Sequence, residues 1–378
     1  MRRLEQLLGF DRNFLNRIGS KAGRYYFPFD IKKSDLDPKL RHIDNPVKLL
    51  KIIQRKIHRS LLSTIQMPST MLGGVVGCSI RQNAEYHVGQ ELVVTLDLKS
   101  CFPRTHDTRI FQVFKTLGCS TDISALLTKL TTFQHRLPQG APTSSLLANL
   151  TLLPLHNEIQ ELVVSLGIRC TFWVDDITLS GKRADLSSDV IEKVVRLIQI
   201  HGHAVSRKKF NFMPVSGRQE ANNIKINKRI GPTRKRLERI RKQILGLNSL
   251  PTGTIFSCDL QSLKGKISYV KYLDPNAGER LEKFADRLLP QTGLEDKKER
   301  ETLRVPCHST DHHRQARFKR KHDWLTDRRA LIATDQKQLI FALLRQREEE
   351  IAAGIGHDLD DVLAEADALI QSPSSNQS

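Results

Sequence analysis

Asp175 and Asp176 lie between two apolar, β-branched runs at 171–174 and 177–179. That pattern predicts a β-hairpin with the acid pair at or near its turn. Adjacent carboxylates in a largely buried hairpin repel each other and are costly to desolvate. A divalent cation relieves both penalties, and Mg²⁺ is commonly held by one or two carboxylates plus substrate phosphates. The same dipeptide also serves as a plain solvated turn. A third acid, Asp97, closes the run Leu92-Val93-Val94-Thr95-Leu96, which Cys101-Phe102-Pro103 then stops. If the two strands are neighbours, three carboxylates converge. That arrangement suits two-metal phosphoryl transfer, in which one ion activates a 3′-hydroxyl and the other stabilises the leaving pyrophosphate. Spacing alone does not establish the convergence.

The elements that must position these acids follow from periodicity. Residues 1–35 are weakly patterned, and Phe27-Pro28-Phe29 reads as a loop. From Pro46, apolar residues recur at helical spacing through Leu62, interleaved with Lys51, Arg55, Lys56 and Arg59. A Gly-rich loop occupies 72–90. Residues 108–130 read as one helix, with Ile110, Val113, Phe114 and Leu117 on a face. Leu137 to Ser144 holds Gly140, Pro138 and Pro142, a fixed loop whose Thr143 or Ser144 can cap the next helix. That apolar helix, from about Ser145 to Leu166, is long enough to pack beneath a sheet. After the aspartate hairpin come a helix at about 187–202, a short strand within 218–230, and a basic amphipathic helix across 228–242. That last stretch holds eight Lys or Arg against the single acid Glu238. A helix beginning near Leu263 closes at Asp274-Pro275. Residues 291–330 are strongly charged, two helical runs come next, and the tail from Ser372 reads as disordered.

The whole chain has 378 residues, with 60 Lys and Arg against 41 Asp and Glu, a formal charge of +19. Such an excess points to a polyanionic partner, most often nucleic acid. Six scattered cysteines without a CxxC pair argue against a disulfide framework and for a reducing cytoplasm. No apolar run reaches membrane-spanning length, and the N-terminus lacks the apolar core of a secretory signal.

Taken in order, the motifs resemble the palm of reverse transcriptases. Thr95 to Pro103 resembles the first palm motif. Leu137-Pro138-Gln139-Gly140-Ala141-Pro142-Thr143-Ser144 resembles the second. Trp173-Val174-Asp175-Asp176 takes the place of the aromatic-x-Asp-Asp box, and Lys209 fits the lysine of the next motif. Asn83-Ala84-Glu85-Tyr86-His87 is similar to the Asn-Ala-x-x-His signature of bacterial retron enzymes. The form Gln139 to Ser144 is that of the retron and group II intron branch. Three features depart from the pattern. Ala221-Asn222-Asn223 stands where retrons carry Val-Thr-Gly, Trp173 replaces a usual Tyr, and Cys101 a common Phe.

The resemblance implies an α+β, right-hand polymerase of fingers, palm and thumb, with an antiparallel palm sheet and a helical C-terminal extension. The expected division is an N-terminal segment at 1–45, fingers and palm at 46–215, thumb at 216–290 and extension at 291–378. It implies that Asp97, Leu98, Asp175 and Asp176 hold two Mg²⁺ ions. Phe102 would be the steric gate against ribonucleotides. Gln139, Gly140 and Lys209 would meet the incoming dNTP, with Lys208 an alternative to Lys209. Trp173 would support the primer end or simply fill the core. Asn83, His87, Lys228, Arg229, Arg234, Lys235 and Arg236 would contact RNA. The implied activity is RNA-directed DNA synthesis on a cognate structured non-coding RNA, giving a branched RNA–DNA hybrid in the bacterial cytoplasm, for antiphage defence beside a separate effector protein. The alternatives are a non-retron defence or group II intron-like reverse transcriptase, and an RNA-binding scaffold.

Overall fold

A computed structural model describes residues 2–34, 37–206, 210–249 and 257–289. The chain opens with helices α1 (Arg2–Leu8) and α2 (Arg12–Ser20), strands β1 (Tyr26–Ser34) and β2 (Asp37–Pro46), and helices α3 (Lys48–Ser60) and α4 (Ile80–Tyr86). Strand β3 (Leu92–Asp97) is followed by helices α5 (Cys101–Arg104), α6 (Asp107–Thr116), α7 (Thr121–Thr131) and α8 (Ser144–Val164). Next come the hairpin strands β4 (Arg169–Trp173) and β5 (Asp176–Gly181), helix α9 (Ser188–Ile200) and strand β6 (Asn211–Pro214). Three short strands, β7 (Glu220–Ala221), β8 (Ile224–Lys225) and β9 (Gly231–Pro232), lead into helices α10 (Arg234–Asn248), α11 (Ser257–Leu273) and α12 (Pro275–Leu288).

These elements form two compact units that do not follow chain order. The described residues of 1–64 and 105–144 make one, and those of 65–104 and 145–289 the other. In the first unit, β1 and β2 pair as an antiparallel ribbon. Helix α3 buries Leu49, Leu50, Ile53 and Ile57. Its buried Gln54 donates through Nε2 to Tyr26 Oη (2.7 Å) and to the Leu130 carbonyl (2.9 Å), so one amide ties the ribbon to α7.

The second unit is built on an antiparallel sheet in the order β4-β5-β3-β6. Alternate residues of a strand face opposite ways. Val94 and Leu96 of β3, Phe172 of β4, and Ile177 and Leu179 of β5 face α8 and α9, where Leu155, Ile159, Val194 and Ile198 complete a core. On the opposite face, Val93 joins Ala84, Ile224 and Ile226. Apolar burial on both faces explains why β3 is almost continuously apolar. A separate cluster joins α10, α11 and α12 through Ile240, Ile244, Leu263, Ile267, Val270 and Leu281.

Several expectations are corrected. Residues 1–35 hold two helices and a strand, and Phe27-Pro28-Phe29 lies inside β1; a two-stranded ribbon has only edge strands, where Pro is tolerated. The single helix expected over 108–130 is two, because Gly118 adopts φ +84° and Ser120 caps α7 by accepting from Ile123 N. The strand expected at 218–230 is two short ones, β7 and β8, with β9 following at Gly231–Pro232. The basic helix starts at Arg234, behind its cap Thr233. The helix expected from Leu263 begins earlier, at Ser257, and closes at Leu273 as expected before Asp274-Pro275; Pro275 then opens α12, with Asp274 as cap. Everything expected of 291–378 lies outside the described residues.

Candidate active site

Only Val174 and Asp175 separate β4 from β5, and Trp173 and Asp176 pair across the turn. Val174 has φ +57°. A positive φ at the first central position but not at Asp175 is the pattern of a type II′ turn, where Gly is usual. For a β-branched residue the conformation costs on the order of 1–3 kcal/mol and persists only where surroundings impose it. Here they do. Phe172 N donates to Thr70 O (2.8 Å) and Leu72 N to Phe172 O (2.9 Å), which lays the 70–73 segment along β4. Gly73 packs so closely on the turn that a Cβ there would stand 2.5 Å from Val174 N. Asn149 Nδ2, from α8, donates to the Gly73 carbonyl (2.7 Å). From the other side, Leu98 N donates to the Asp175 carbonyl (2.9 Å).

The register brings the acids together. Asp97 is the direct antiparallel partner of Asp176, one residue from Asp175. Directly opposed residues share a face with Cβ atoms about 4.5–5.5 Å apart. That face also carries Thr95, Thr178 and Thr171, while α8 and α9 pack on the other. Asp97 is 5% exposed, and its main-chain carbonyl accepts from Ser206 N (2.8 Å). Asp175 and Asp176 are half-buried. Among the described residues no three or more His, Cys, Asp or Glu side chains already form a cluster able to hold an ion. Strand register, rather than a closed cage, supplies the convergence. The donor set is nevertheless hard, anionic oxygen, which fits a divalent cation such as Mg²⁺. Leu98 can add only its main-chain carbonyl, because its side chain is core.

A polar chain supports the acid pair. Asn222 Nδ2 donates to Asp176 Oδ2 (3.2 Å), and Asn83 Nδ2 donates to Asn222 Oδ1 (2.5 Å). Four residues on, at the end of α4, His87 bonds Ser180 Oγ through Nδ1 and Thr171 Oγ1 through Nε2, both at 2.7 Å. Burial pulls the His87 pKa down to about 3, with the Arg169 charge a lesser cause. Asn83 and His87, expected to face RNA, are instead wholly buried. Helix α4 turns that edge inward against the hairpin.

The remaining expected residues lie on other elements. Phe102 lies half-buried on α5. Gln139 and Gly140 belong to the other unit, where Asp44 of β2 anchors them. Gln139 N donates to Asp44 Oδ2 (3.2 Å), and Asp44 N donates to the Gln139 carbonyl (2.8 Å). Gly140 has φ +124°, and a Cβ there would meet Ile43 at 2.9 Å, so both conformation and space favour Gly. Lys208 and Lys209 lie outside the described residues. Lys228, Arg229, Arg234 and Lys235 are exposed. Arg236 lies over the Tyr269 ring, 4.6 Å from its centroid, and Arg234 pairs with Glu238 at 2.7 Å.

Sequence reasoning missed Asp44, Gly73, Asn149 and Asn222. For Asn222 a signal existed. Asn222-Asn223 between alternating residues is a type I′ turn signature, and both adopt positive φ, +49° and +62°. The others act through tertiary contacts that spacing does not encode.

Residues 31–240 match the family described as reverse transcriptase (RNA-dependent DNA polymerase), and the chain belongs to it. Within that family its curated relatives include retron enzymes. The Retron Mx65 reverse transcriptase of Myxococcus xanthus is 30% identical over 276 residues, covering 68% of this chain and 64% of that one. The Retron Ec86 reverse transcriptase of Escherichia coli is 28% identical over 269 residues, covering 71% of this chain and 82% of that one. Among solved structures, a foamy viral protease-reverse transcriptase in complex with double-stranded DNA aligns over 70% of this chain and 43% of that one, at TM-score 0.40 and 18% identity. Among the described residues no helix is long and apolar enough to cross a membrane.

Proposed function

We propose that this chain is a retron-type RNA-directed DNA polymerase that copies a cognate structured RNA into DNA. The observation that carries the reading is the direct pairing of Asp97 with Asp176 beside a turn that fixes Asp175. Asp97, Asp175 and Asp176, with the Leu98 carbonyl, would hold two Mg²⁺ ions. When bound, these would lower the pKa of the attacking 3′-hydroxyl and stabilise charge on the leaving pyrophosphate. The hydroxyl oxygen bonds to the α-phosphorus of the dNTP as the bond to pyrophosphate breaks.

The first unit corresponds in this reading to fingers, and Gln139 and Gly140 would meet the incoming dNTP. The four-stranded sheet with α8 and α9 is palm, and α10 to α12 are thumb. Phe102 excludes a 2′-hydroxyl from the sugar site, and Lys209 meets the triphosphate. Exposed Lys228, Arg229, Arg234 and Lys235 lie along the template–primer backbone, where phosphate contacts give affinity without reading sequence. Arg236, held over Tyr269, stiffens that surface. The product is a branched RNA–DNA hybrid primed from a 2′-hydroxyl of the RNA. It serves antiphage defence in the bacterial cytoplasm, and a separate protein acts as effector.

The test uses cells carrying the gene with its native upstream DNA. Nucleic acid from wild type and from Asp175→Ala/Asp176→Ala is run on a denaturing gel, with and without debranching enzyme. A discrete small DNA, lost in the variant and shifted by debranching, is the expected result. An aspartate-dependent DNA insensitive to debranching removes the branched product. No aspartate-dependent DNA, with purified protein inert on primed RNA, leaves an RNA-binding scaffold.

A further inference from the structure

The polar groups behind the hairpin point to a positioning device. We propose that Asn83 and Asn222 form a hydrogen-bond relay that orients the Asp176 carboxylate, while His87 on the same helix face clamps the two hairpin strands. The Asn-Ala-x-x-His segment then serves the catalytic turn rather than RNA. The inference rests on the polymerase reading for its consequence, but its geometry is independent of it.

A side-chain amide has one donating and one accepting end. Asn83 Nδ2 can only donate, and it meets Asn222 Oδ1. That contact fixes which way the Asn222 amide points and directs its Nδ2 at Asp176 Oδ2. A neutral donor on one oxygen holds the carboxylate rotamer without neutralising it. Asn222 itself is held by the β7–β8 turn, where Ala221 pairs with Ile224 and both central residues are left-handed. Asn tolerates that conformation better than other side-chain-bearing residues. One residue thus completes a tight turn and reaches the acid.

His87 acts at the hairpin's root. Its ring bridges Thr171 of β4 and Ser180 of β5, both buried and both on the acid-bearing face. A neutral imidazole has one donor and one acceptor, so two hydroxyls satisfy it completely. Asn83 and His87 are four apart and share a helix face. Helix α4 therefore grips the hairpin at its acid end, through Asn222, and at its root. Hydrogen-bond partners that orient metal-ligating carboxylates typically change metal affinity or activity about 10–100-fold when removed.

The informative variant is Asn222→Gly, which keeps the left-handed turn and deletes the amide. Two measurements on the full-length chain decide the matter. One is primer extension on an RNA template across a Mg²⁺ series. The other is Mn²⁺ binding, read by electron paramagnetic resonance of the free ion in the presence of primer–template. The expected result for Asn222→Gly is a kcat lower by about 10–100-fold, weaker Mn²⁺ binding, a raised half-saturating Mg²⁺ and an unchanged dNTP KM. Asn83→Ala/Asn222→Gly should be no worse than Asn222→Gly alone, since both act through one contact. Asn222→Asp, which faces a carboxylate with a carboxylate, should be worse than Gly. Mn²⁺ affinity in Asn222→Gly equal to wild type, or no measurable Mn²⁺ binding by wild type, overturns the relay. A wild type that binds Mn²⁺ but extends no primer removes the polymerase reading, and the affinity comparison still decides the relay.

Discussion

Asp97 at the end of β3 and Asp176 at the start of β5 face each other as direct antiparallel partners. Like charges so placed destabilise a sheet by about 0.2–1 kcal/mol. On the polymerase reading, the site gives up stability in the absence of a cation and would recover it on binding one. Asp97→Asn should raise the urea midpoint in metal-free buffer slightly and abolish the further rise that Mg²⁺ gives wild type. Primer extension should fall by at least about 10²–10³-fold, the scale for losing one group that stabilises transition-state charge. A folded Asp97→Asn chain that still extends primers at the wild-type rate would remove Asp97 from the metal site.

Gly73 sets the height of the strained turn. A Cβ there would stand 2.5 Å from Val174 N and 2.7 Å from Trp173 C, and backbone atoms cannot swing aside as a side-chain tip can. Gly73→Ala must therefore lift the 72–74 loop or push the turn. The stability loss should be about 1–3 kcal/mol, as for other overpacked sites. The larger effect should fall on kcat, because Asp175 moves with Val174. Circular dichroism melts beside primer-extension rates test this; a variant with a lower melting point and unchanged kcat would detach the loop from catalysis.

How much of this was legible in the sequence differs from residue to residue. The strand and hairpin bearing the acids were readable, because β-branched runs bounded by polar turns leave few alternatives. The register pairing Asp97 with Asp176 was not, since strand order β4-β5-β3-β6 is set by packing on α8 and α9. The break in 108–130 was present as Gly118 and Ser120, just after the apolar face of Ile110, Val113, Phe114 and Leu117 ends. His87 carried a signature associated with RNA, yet its burial depends on Thr171 and Ser180, which lie more than 80 residues further along the chain. Asn222 read as a departure from the retron pattern. In the structure it sits with Asn223 in a tight turn, both with positive φ.

Two helical glycines should respond to the same substitution with opposite signs. Gly265, in the middle of α11, has nothing within 4 Å of the position a Cβ would take. Gly265→Ala should stabilise by about 0.5–1 kcal/mol through backbone entropy and helix propensity. Gly278, in the first turn of α12, lies where a Cβ would collide with the backbone of Lys271 in α11. Gly278→Ala should destabilise by about 1–3 kcal/mol by forcing the two helices apart. Urea unfolding of both variants beside wild type is sufficient. The same sign for both would mean that α11 and α12 do not cross as closely as the structure has them.

Stability should fall on acidification, with His87 as one cause. Its pKa is about 3 when folded against 6.5 as a free side chain, because burial disfavours the charged ring. Between those values the unfolded chain binds a proton that the folded chain does not. The contribution of neutral His87 is therefore complete above about pH 6.5 and is lost as pH falls toward 3, at up to about 1.4 kcal/mol per pH unit for one proton. His58 and His156 are shifted in the same direction by burial, so they add to the wild-type slope. His87→Gln should be less stable at pH 7.5, where the clamp on Thr171 and Ser180 is intact, and should close the gap as pH drops to 5. Urea midpoints at several pH values separate its share from the other two histidines. Parallel pH curves for wild type and His87→Gln would mean that this ring is not held neutral between the hairpin strands.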